Sequence, residues 1–278
     1  HVRSRRQRQM CIRDRASTMK DVISLGVGEP DYAAPKKVID GCIDSLNRKE
    51  TSYTSNWGLY ELRQEISRMF QNRYNLFYNP SDQIIVTVGV SEAITAVMQT
   101  ILNPGDEVLI PDPAYLAYPA CVRLVGGKPV LVPTQAEDEF KLTVEELEAR
   151  VTDKTKALLI GYPNNPTGTV MDKESLLEIA KFAEKHDLVV ISDEIYCDLT
   201  YEGEHICFAS LPEMEERTIV MNGFSKSYAM TGLRVGYICG PKAILESIYK
   251  VHQYEILCAS VTSQYGAITA LKLSLIHI

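Results

Sequence analysis

From about residue 84 onward, short runs rich in β-branched residues alternate with amphipathic stretches of helical length. This alternation is typical of βα units around a mainly parallel sheet, because a parallel connection needs a crossover that is usually a helix. The pattern therefore predicts an α/β fold with a mainly parallel seven-stranded sheet sandwiched by helices. The predicted strands cover residues 84–88, 107–110, 128–132, 156–161, 188–192, 217–222 and 234–239. The predicted helices cover residues 59–74, 92–102, 144–151, 173–185 and 242–254.

The composition argues against several classes of protein. Of the 278 residues, 45% are hydrophobic and 23% are charged, so the chain can bury a sizeable core. No apolar run approaches the roughly 18 residues that span a bilayer, and the net charge of -7 gives no general attraction to nucleic acid. The cysteines are scattered without a C-x-x-C pair, which argues against a disulfide framework and a zinc site and favours reduced thiols in the cytoplasm. These cysteines are Cys11, Cys42, Cys121, Cys197, Cys207, Cys239 and Cys258.

The two ends of the chain differ in composition from the rest. Residues 1–15 hold six arginines and one acid, although the chain as a whole is acidic. They lack the Ser-rich amphipathic pattern of a transit peptide and the aromatic residues of a nucleic-acid-binding arm. We interpret residues 1–15 and 273–278 as stretches derived from a sequencing adapter. Residues 16–80 are then predicted to form an N-terminal approach segment, and residues 81–272 the large domain.

A lysine follows the sixth predicted strand, in the segment NGFSKSYAMTGLRVGY at residues 222–237. Ligands of open α/β sheets bind at the carboxyl ends of the strands, which is where Lys226 is predicted to lie. An amine there can form an imine with an aldehyde cofactor if its surroundings lower its pKa. Arg234, eight residues later, could hold a phosphate through two hydrogen bonds. A lysine considered alone is more commonly a solvated surface residue.

Polar residues also follow the fourth and fifth predicted strands. Asp193, in SDEIY, follows an apolar run, where a buried carboxylate is costly unless it meets a cation such as a protonated pyridinium nitrogen. Tyr196 and Asn165, the latter in NNPTG, could both hydrogen-bond the phenolic oxygen of such a ring. The alternatives are a helix N-cap for Asp193, ordinary packing for Tyr196 and turn chemistry for Asn165.

Two further segments follow the first and second predicted strands. In TVGVSEA at residues 87–93 a glycine separates a strand from a helix. The free N–H groups and the helix dipole make an anion site there, with Val90 and Ser91 best placed to contact a phosphate. Tyr115 could stack on a planar ring, although a single aromatic residue is more commonly part of a core.

Taken in their order along the chain, the segments resemble the aminotransferase class I/II family, the fold-type I pyridoxal-phosphate enzymes, from about residue 16 to residue 272. The most specific motifs are NNPTG, SDEIY and SKSYAMTGLR. The resemblance implies pyridoxal 5′-phosphate as the cofactor and Lys226 as its Schiff-base lysine and proton carrier. It implies Asp193 at the ring nitrogen, and Asn165 and Tyr196 at the phenolic oxygen. The other cofactor contacts that it implies are Tyr115, Val90, Ser91, Ser225 and Arg234.

Two residues before the predicted sheet also match positions of the family. Gly28, in LGVGEPD, matches a contact to the substrate carboxylate, and Tyr53, in YTSNWG, matches a tyrosine that reaches the partner subunit's phosphate. The resemblance therefore implies a homodimer. Gly223 departs from those relatives that carry a phosphate-binding serine there. We also expect the C-terminal small domain, with its carboxylate-binding arginine, to be missing from this chain, which would leave this stretch inactive by itself.

The implied reaction moves an amino group between an amino acid and a 2-oxo acid, without a nucleic-acid or membrane partner. One alternative is a pyridoxal-phosphate-dependent C–S β-lyase, which shares fold and cofactor residues; release of pyruvate and ammonia without a keto-acid acceptor would indicate it. An alternative of another class is the effector module of a transcription regulator. A helix-turn-helix encoded upstream would indicate that class.

Overall fold

A computed structural model describes residues 14–16, 18–23, 26 and 28–273. Residues 1–13 and 274–278, which make up most of the two stretches interpreted as adapter-derived, lie outside the described residues. The chain divides into two compact units, His1–Tyr32 and Ala33–Ile278. The segment boundaries predicted at residues 15, 80 and 272 stay predictions.

Seven strands in the unit Ala33–Ile278 form one sheet. In chain order they are β1 (Ile84–Thr87), β2 (Glu107–Asp112), β3 (Lys128–Pro133), β4 (Thr155–Ile160), β5 (Val189–Asp193), β6 (Thr218–Gly223) and β7 (Gly236–Cys239). Their spatial order is β1-β7-β6-β5-β4-β2-β3. Strand β7 runs antiparallel to β1 and β6, and the other strand pairs are parallel. The predicted mainly parallel seven-stranded sheet is confirmed.

Apart from the edge strand β3, the sheet is largely buried on both faces, as expected for strands that read as nearly continuous apolar runs. Every residue of β1, β6 and β7 is buried. Successive side chains point to opposite faces, so Ile84 and Val86 join one core cluster while Ile85 joins another. Helices cover these two faces and complete the predicted three-layer arrangement.

The helices match the predictions in part. They are α1 (Lys36–Asn47), α2 (Tyr60–Tyr74), α3 (Gly89–Ile101), α4 (Ala117–Leu124), α5 (Val144–Glu148), α6 (Lys173–Lys185), α7 (Lys242–Glu255) and α8 (Val261–Lys272). Helices α1, α4 and α8 were not predicted. Helix α8 is rich in small and polar residues, so the apolar periodicity that identifies a helix is weak there.

Several predicted boundaries were wrong, and three of these have a clear physical reason. Helix α3 begins at residue 89 and not at 92, because its first turn, Gly-Val-Ser, carries no apolar period. Helix α5 ends at Glu148 and not at residue 151, before the turn that leads into β4. Strand β7 begins at Gly236 and not at residue 234, because Arg234 adopts a left-handed conformation with φ of 50°.

Two further features concern membrane-spanning helices and the cysteines. Within the described ranges, no helix combines the length and apolar character needed to cross a bilayer. The cysteines of that part of the chain, all except Cys11, are free thiols.

Candidate active site

The carboxyl ends of β1, β2, β4, β5 and β6 lie at one edge of the sheet, because these strands run in the same direction. The segments singled out in the sequence follow these five strands directly. The predicted residues that they carry are Val90, Ser91, Tyr115, Asn165, Asp193, Tyr196, Ser225 and Lys226. Contacts and position divide these residues into three groups.

The first group surrounds Asp193, which ends β5 and is only 4% exposed. Tyr118 donates a hydrogen bond from Oη to Asp193 Oδ2 at 2.9 Å, and the Ile195 N–H donates to Oδ1 at 3.2 Å. Burial raises the pKa of Asp193 to about 6, although both hydrogen bonds oppose the shift. The carboxyl is therefore held by two hydrogen bonds, and no ion pair with a cation favours its charged form within the described ranges.

Tyr118 is a site residue that the sequence reasoning missed. It is buried in the first turn of α4, and its ring meets the ring of Tyr115 edge to face at 5.5 Å between centroids. A Cβ atom at Gly161 would lie 2.7 Å from Tyr118 Oη, so the glycine after β4 makes room for the phenol. Two signals pointed to it: the spacing of three residues from Tyr115 and the glycine at the end of β4.

The second group contains the predicted lysine. Asn165 donates from Nδ2 to Tyr196 Oη at 3.5 Å, and Lys226 Nζ lies 5.6 Å from the centroid of the Tyr196 ring. Burial raises the pKa of Tyr196, and the charge of nearby Asp193 adds to the effect. The phenol therefore stays protonated and can donate a hydrogen bond to a ligand. The structure thus brings together an amine, an amide and a hydroxyl, as predicted.

The third group lies where α3 begins. Arg234 donates from Nη1 to Ser225 Oγ at 3.4 Å and to the Thr231 carbonyl at 3.0 Å. Gly89 has φ of +69°, and a Cβ atom there would lie 2.6 Å from Arg234 Nη2. Only glycine therefore allows the guanidinium to approach the first turn of α3. We call Gly89, Val90, Ser91, Ser225 and Arg234 the anion cradle, because the set combines free helix N–H groups, a hydroxyl and a cation.

Two predicted residues belong to none of these groups. The Tyr53 side chain is 82% exposed in the loop between α1 and α2. Gly28 belongs to the unit His1–Tyr32, which is described separately from the sheet. The roles assigned to both residues stay predictions.

Comparison with known proteins gives a consistent result. The family described as aminotransferase class I and II matches residues 20–277. An aminotransferase of Bacillus subtilis (strain 168), YugH, is 51% identical over 93% of this chain and 67% of its own length. An aspartate aminotransferase of Pyrococcus abyssi (strain GE5 / Orsay) is 46% identical over 93% of this chain and 67% of its own length. The chain therefore spans about two thirds of the length of these relatives.

Solved structures give the same picture. The aromatic aminotransferase from Pyrococcus horikoshii OT3 has a TM-score of 0.89 and 45% identity, covering 95% of this chain and 71% of that one. An aspartate aminotransferase from Thermus thermophilus with maleate has a TM-score of 0.91 and 35% identity, covering 98% of this chain and 73% of that one. The similarity thus extends over nearly the whole chain.

Proposed function

The chain belongs to the class I and II aminotransferases, and on this basis we propose how its residues hold the cofactor of that family, pyridoxal 5′-phosphate (PLP), and carry the reaction. As a transaminase, the protein moves an amino group between an amino acid and a 2-oxo acid. The relatives named above are aminotransferases, so neither the C–S β-lyase nor the transcription regulator is favoured.

The buried Asp193 carboxyl is the observation that carries the cofactor assignment. Two hydrogen bonds fix its oxygens, yet burial leaves its pKa near 6. A protonated ring nitrogen beside Asp193 would supply a cation and stabilise the ionised form. The residues present therefore fit a pyridinium ring, and they fit a purely structural N-cap less well, because the short 3-10 helix that follows, Cys197–Leu199, has Tyr196 and not Asp193 as its N-cap.

When bound, PLP supplies an aldehyde that reacts with amines and a ring that accepts the electron pair left when the α-proton is removed. The protein's part is to orient that ring. Tyr196 and Asn165 share one hydrogen bond, and both would hold the phenolic oxygen. Tyr115, whose ring is 39% exposed and braced by Tyr118, provides a flat surface for stacking.

Lys226 has two tasks in this proposal. Its Nζ would hold the cofactor through the aldehyde carbon. With an amino acid bound, the neutral amine of Lys226 would take the α-proton and later return a proton. Its position near the face of the Tyr196 ring, at 5.6 Å from the centroid, keeps Nζ at the sheet edge.

The anion cradle binds the phosphate group. The chain carries a net charge of -7, so a phosphate needs a local site of this kind. Arg234 contributes the cation and Ser225 a hydroxyl, and the first turn of α3 contributes N–H groups at Val90 and Ser91. We further propose that Gly28 contacts the substrate carboxylate, that Tyr53 reaches the phosphate of a partner subunit in a homodimer, and that the enzyme works in the cytoplasm.

The test uses protein expressed from its whole gene and purified with PLP. We expect bound-cofactor absorbance that disappears in Lys226→Ala and persists in the control Lys181→Ala, which alters an exposed lysine of α6. An amino acid added alone should convert the cofactor and release a 2-oxo acid, as a ping-pong reaction requires. A panel of amino donors would begin with aspartate and aromatic amino acids, which the relatives' names contain. Unchanged absorbance in Lys226→Ala would overturn the proposal.

A further inference from the structure

A buried glutamate–histidine pair lies directly behind the anion cradle. Glu92 is in the first turn of α3, and His252 is in the last turn of α7. Glu92 Oε1 and His252 Nδ1 are 2.5 Å apart, and the side chains are 7% and 0% exposed. The two residues are 160 positions apart in the sequence, so the fold alone brings them together.

Glu92 also contacts the backbone of the cradle. Its Oε2 accepts a short hydrogen bond from the Val88 N–H. Val88 is the N-cap of α3, and its apolar side chain cannot satisfy any of the free N–H groups. Glu92 therefore reaches back to the N-cap N–H, as the glutamate of a capping box does. It occupies the Val88 N–H and leaves those of Gly89, Val90 and Ser91 for an anion.

The His252 ring is fully buried, and Glu92 is its one polar side-chain partner in the described part of the chain. A carboxylate oxygen only accepts hydrogen bonds, so Nδ1 carries the proton that is shared with Glu92. Nε2 is buried without a hydrogen-bond partner among the described residues. An apolar side chain of similar volume would avoid this desolvation. Stability by itself therefore gives a poor account of a histidine at this position.

The helix that carries His252 packs against the loop between α1 and α2. Tyr249, one turn earlier, stacks on Trp57 with 4.6 Å between ring centroids and 19° between ring planes. Gln253 Oε1 accepts from Asn56 Nδ2 at 3.4 Å. Tyr249, His252 and Gln253 of α7 thus each contact another element, which fixes the place of the imidazole.

We propose that Glu92 and His252 are positioning residues for the anion cradle. His252 orients the Glu92 carboxylate, Glu92 fixes the Val88 peptide, and the next three N–H groups are thereby held toward the cofactor phosphate. The inference rests on the proposed function, because it takes the PLP phosphate as the anion. The pair thus has an indirect role in phosphate recognition, because neither residue needs to contact the phosphate itself.

The experiment compares two ligands that differ only in the phosphate. Dissociation constants of PLP and of pyridoxal, which lacks the phosphate, are measured on cofactor-free protein expressed from the whole gene. We expect His252→Leu and Glu92→Leu each to weaken PLP binding about tenfold, the effect of one net hydrogen bond. Pyridoxal binding should change less than about twofold, and inorganic phosphate should compete with PLP less well in the variants.

Four further variants complete the design. His252→Asn keeps a donor near the position of Nδ1 and should restore PLP binding. The double leucine variant should lose no more than Glu92→Leu, because the two residues act in series. Glu92→Gln keeps an acceptor for the Val88 N–H and should bind PLP nearly as the unaltered protein does. Glu92→Met keeps the length of the side chain without an acceptor and should show the split between the ligands if the leucine variants fail to fold.

A matched control exists in the same protein. His205 and Glu194 also form a buried pair, with Nε2 and Oε2 2.9 Å apart and side chains 9% and 2% exposed. His205→Leu should leave the ratio of the PLP and pyridoxal constants unchanged. Equal losses for both ligands, or no loss in any variant, would overturn the inference. Failure of the unaltered protein to bind PLP would instead overturn the proposed function.

Discussion

Replacing the Asp193 carboxyl with a neutral amide should stabilise the cofactor-free protein and weaken the stabilisation that the cofactor provides. Burial raises the pKa of Asp193 from 3.8 to about 6 in the cofactor-free protein. A carboxyl with a raised folded-state pKa favours folding below its unfolded-state pKa, and this stabilisation is lost as the pH rises through the folded-state pKa. At pH 8 the ionised Asp193 therefore costs about 3 kcal/mol, from a shift of about 2 pKa units at about 1.4 kcal/mol each.

Asp193→Asn removes that cost while keeping the shape and both hydrogen bonds. The amide oxygen can accept from the Ile195 N–H, and the amide nitrogen can donate to Tyr118 Oη. The variant should therefore raise the free energy of unfolding of the cofactor-free protein by up to about 3 kcal/mol at pH 8, and by about half as much at pH 5. Urea denaturation at the two pH values measures this difference.

Binding of the cofactor should favour the unaltered protein over Asp193→Asn. PLP should raise the melting temperature of the unaltered protein more than that of Asp193→Asn, because the amide cannot pair with a protonated ring nitrogen. Asp172→Asn is the control, because the pKa of Asp172 is lowered by its hydrogen bonds with Ser175, and the variant should lose stability. An Asp193→Asn variant that is no more stable at pH 8, or whose gain does not depend on pH, would refute the reasoning.

Three other substitutions probe the groups of the site. Tyr118→Phe removes a hydrogen bond that lowers the pKa of Asp193, so that pKa should rise above about 6, measured by carboxyl carbon NMR of the cofactor-free protein. Gly89→Ala should weaken PLP binding more than pyridoxal binding, by at least about tenfold, because the new methyl group meets Arg234 and the backbone has positive φ. Tyr196→Phe should leave PLP bound but shift its absorbance maximum or the pKa read from it; an unchanged spectrum and titration would contradict the assigned hydrogen bond.

The sequence allowed prediction of the residues that follow strand ends, because strand direction alone gathers them. Lys226, Asp193 and Asn165 come after apolar runs, and parallel strands place such residues at one edge. It did not allow prediction of the residues that act behind them. Tyr118 has no motif of its own, and the partnership of Glu92 with His252 depends on how α7 packs beside α3, which local periodicity does not encode.

The direction of β7 explains the spacing of eight residues between Lys226 and Arg234. Because β7 is antiparallel to β6, the connection between them starts and ends at the same edge, and Gly236 pairs with both Gly223 of β6 and Thr87 of β1. The lysine near the start of this connection and the arginine near its end therefore both lie at the carboxyl ends of the parallel strands.

The antiparallel direction of β7 also brings Arg234 close to α3. A Cβ atom at Gly236 would lie 2.9 Å from the Gly89 carbonyl carbon and 3.0 Å from the Val90 nitrogen. The start of β7 is thus packed against the first turn of α3, and Arg234, two residues earlier, reaches the anion cradle from that point. A parallel seventh strand would need a crossover, and its first residues would lie at the opposite edge, away from α3. The single antiparallel strand in an otherwise parallel sheet is therefore what joins Lys226 and the proposed phosphate-binding cation, Arg234, in one short segment.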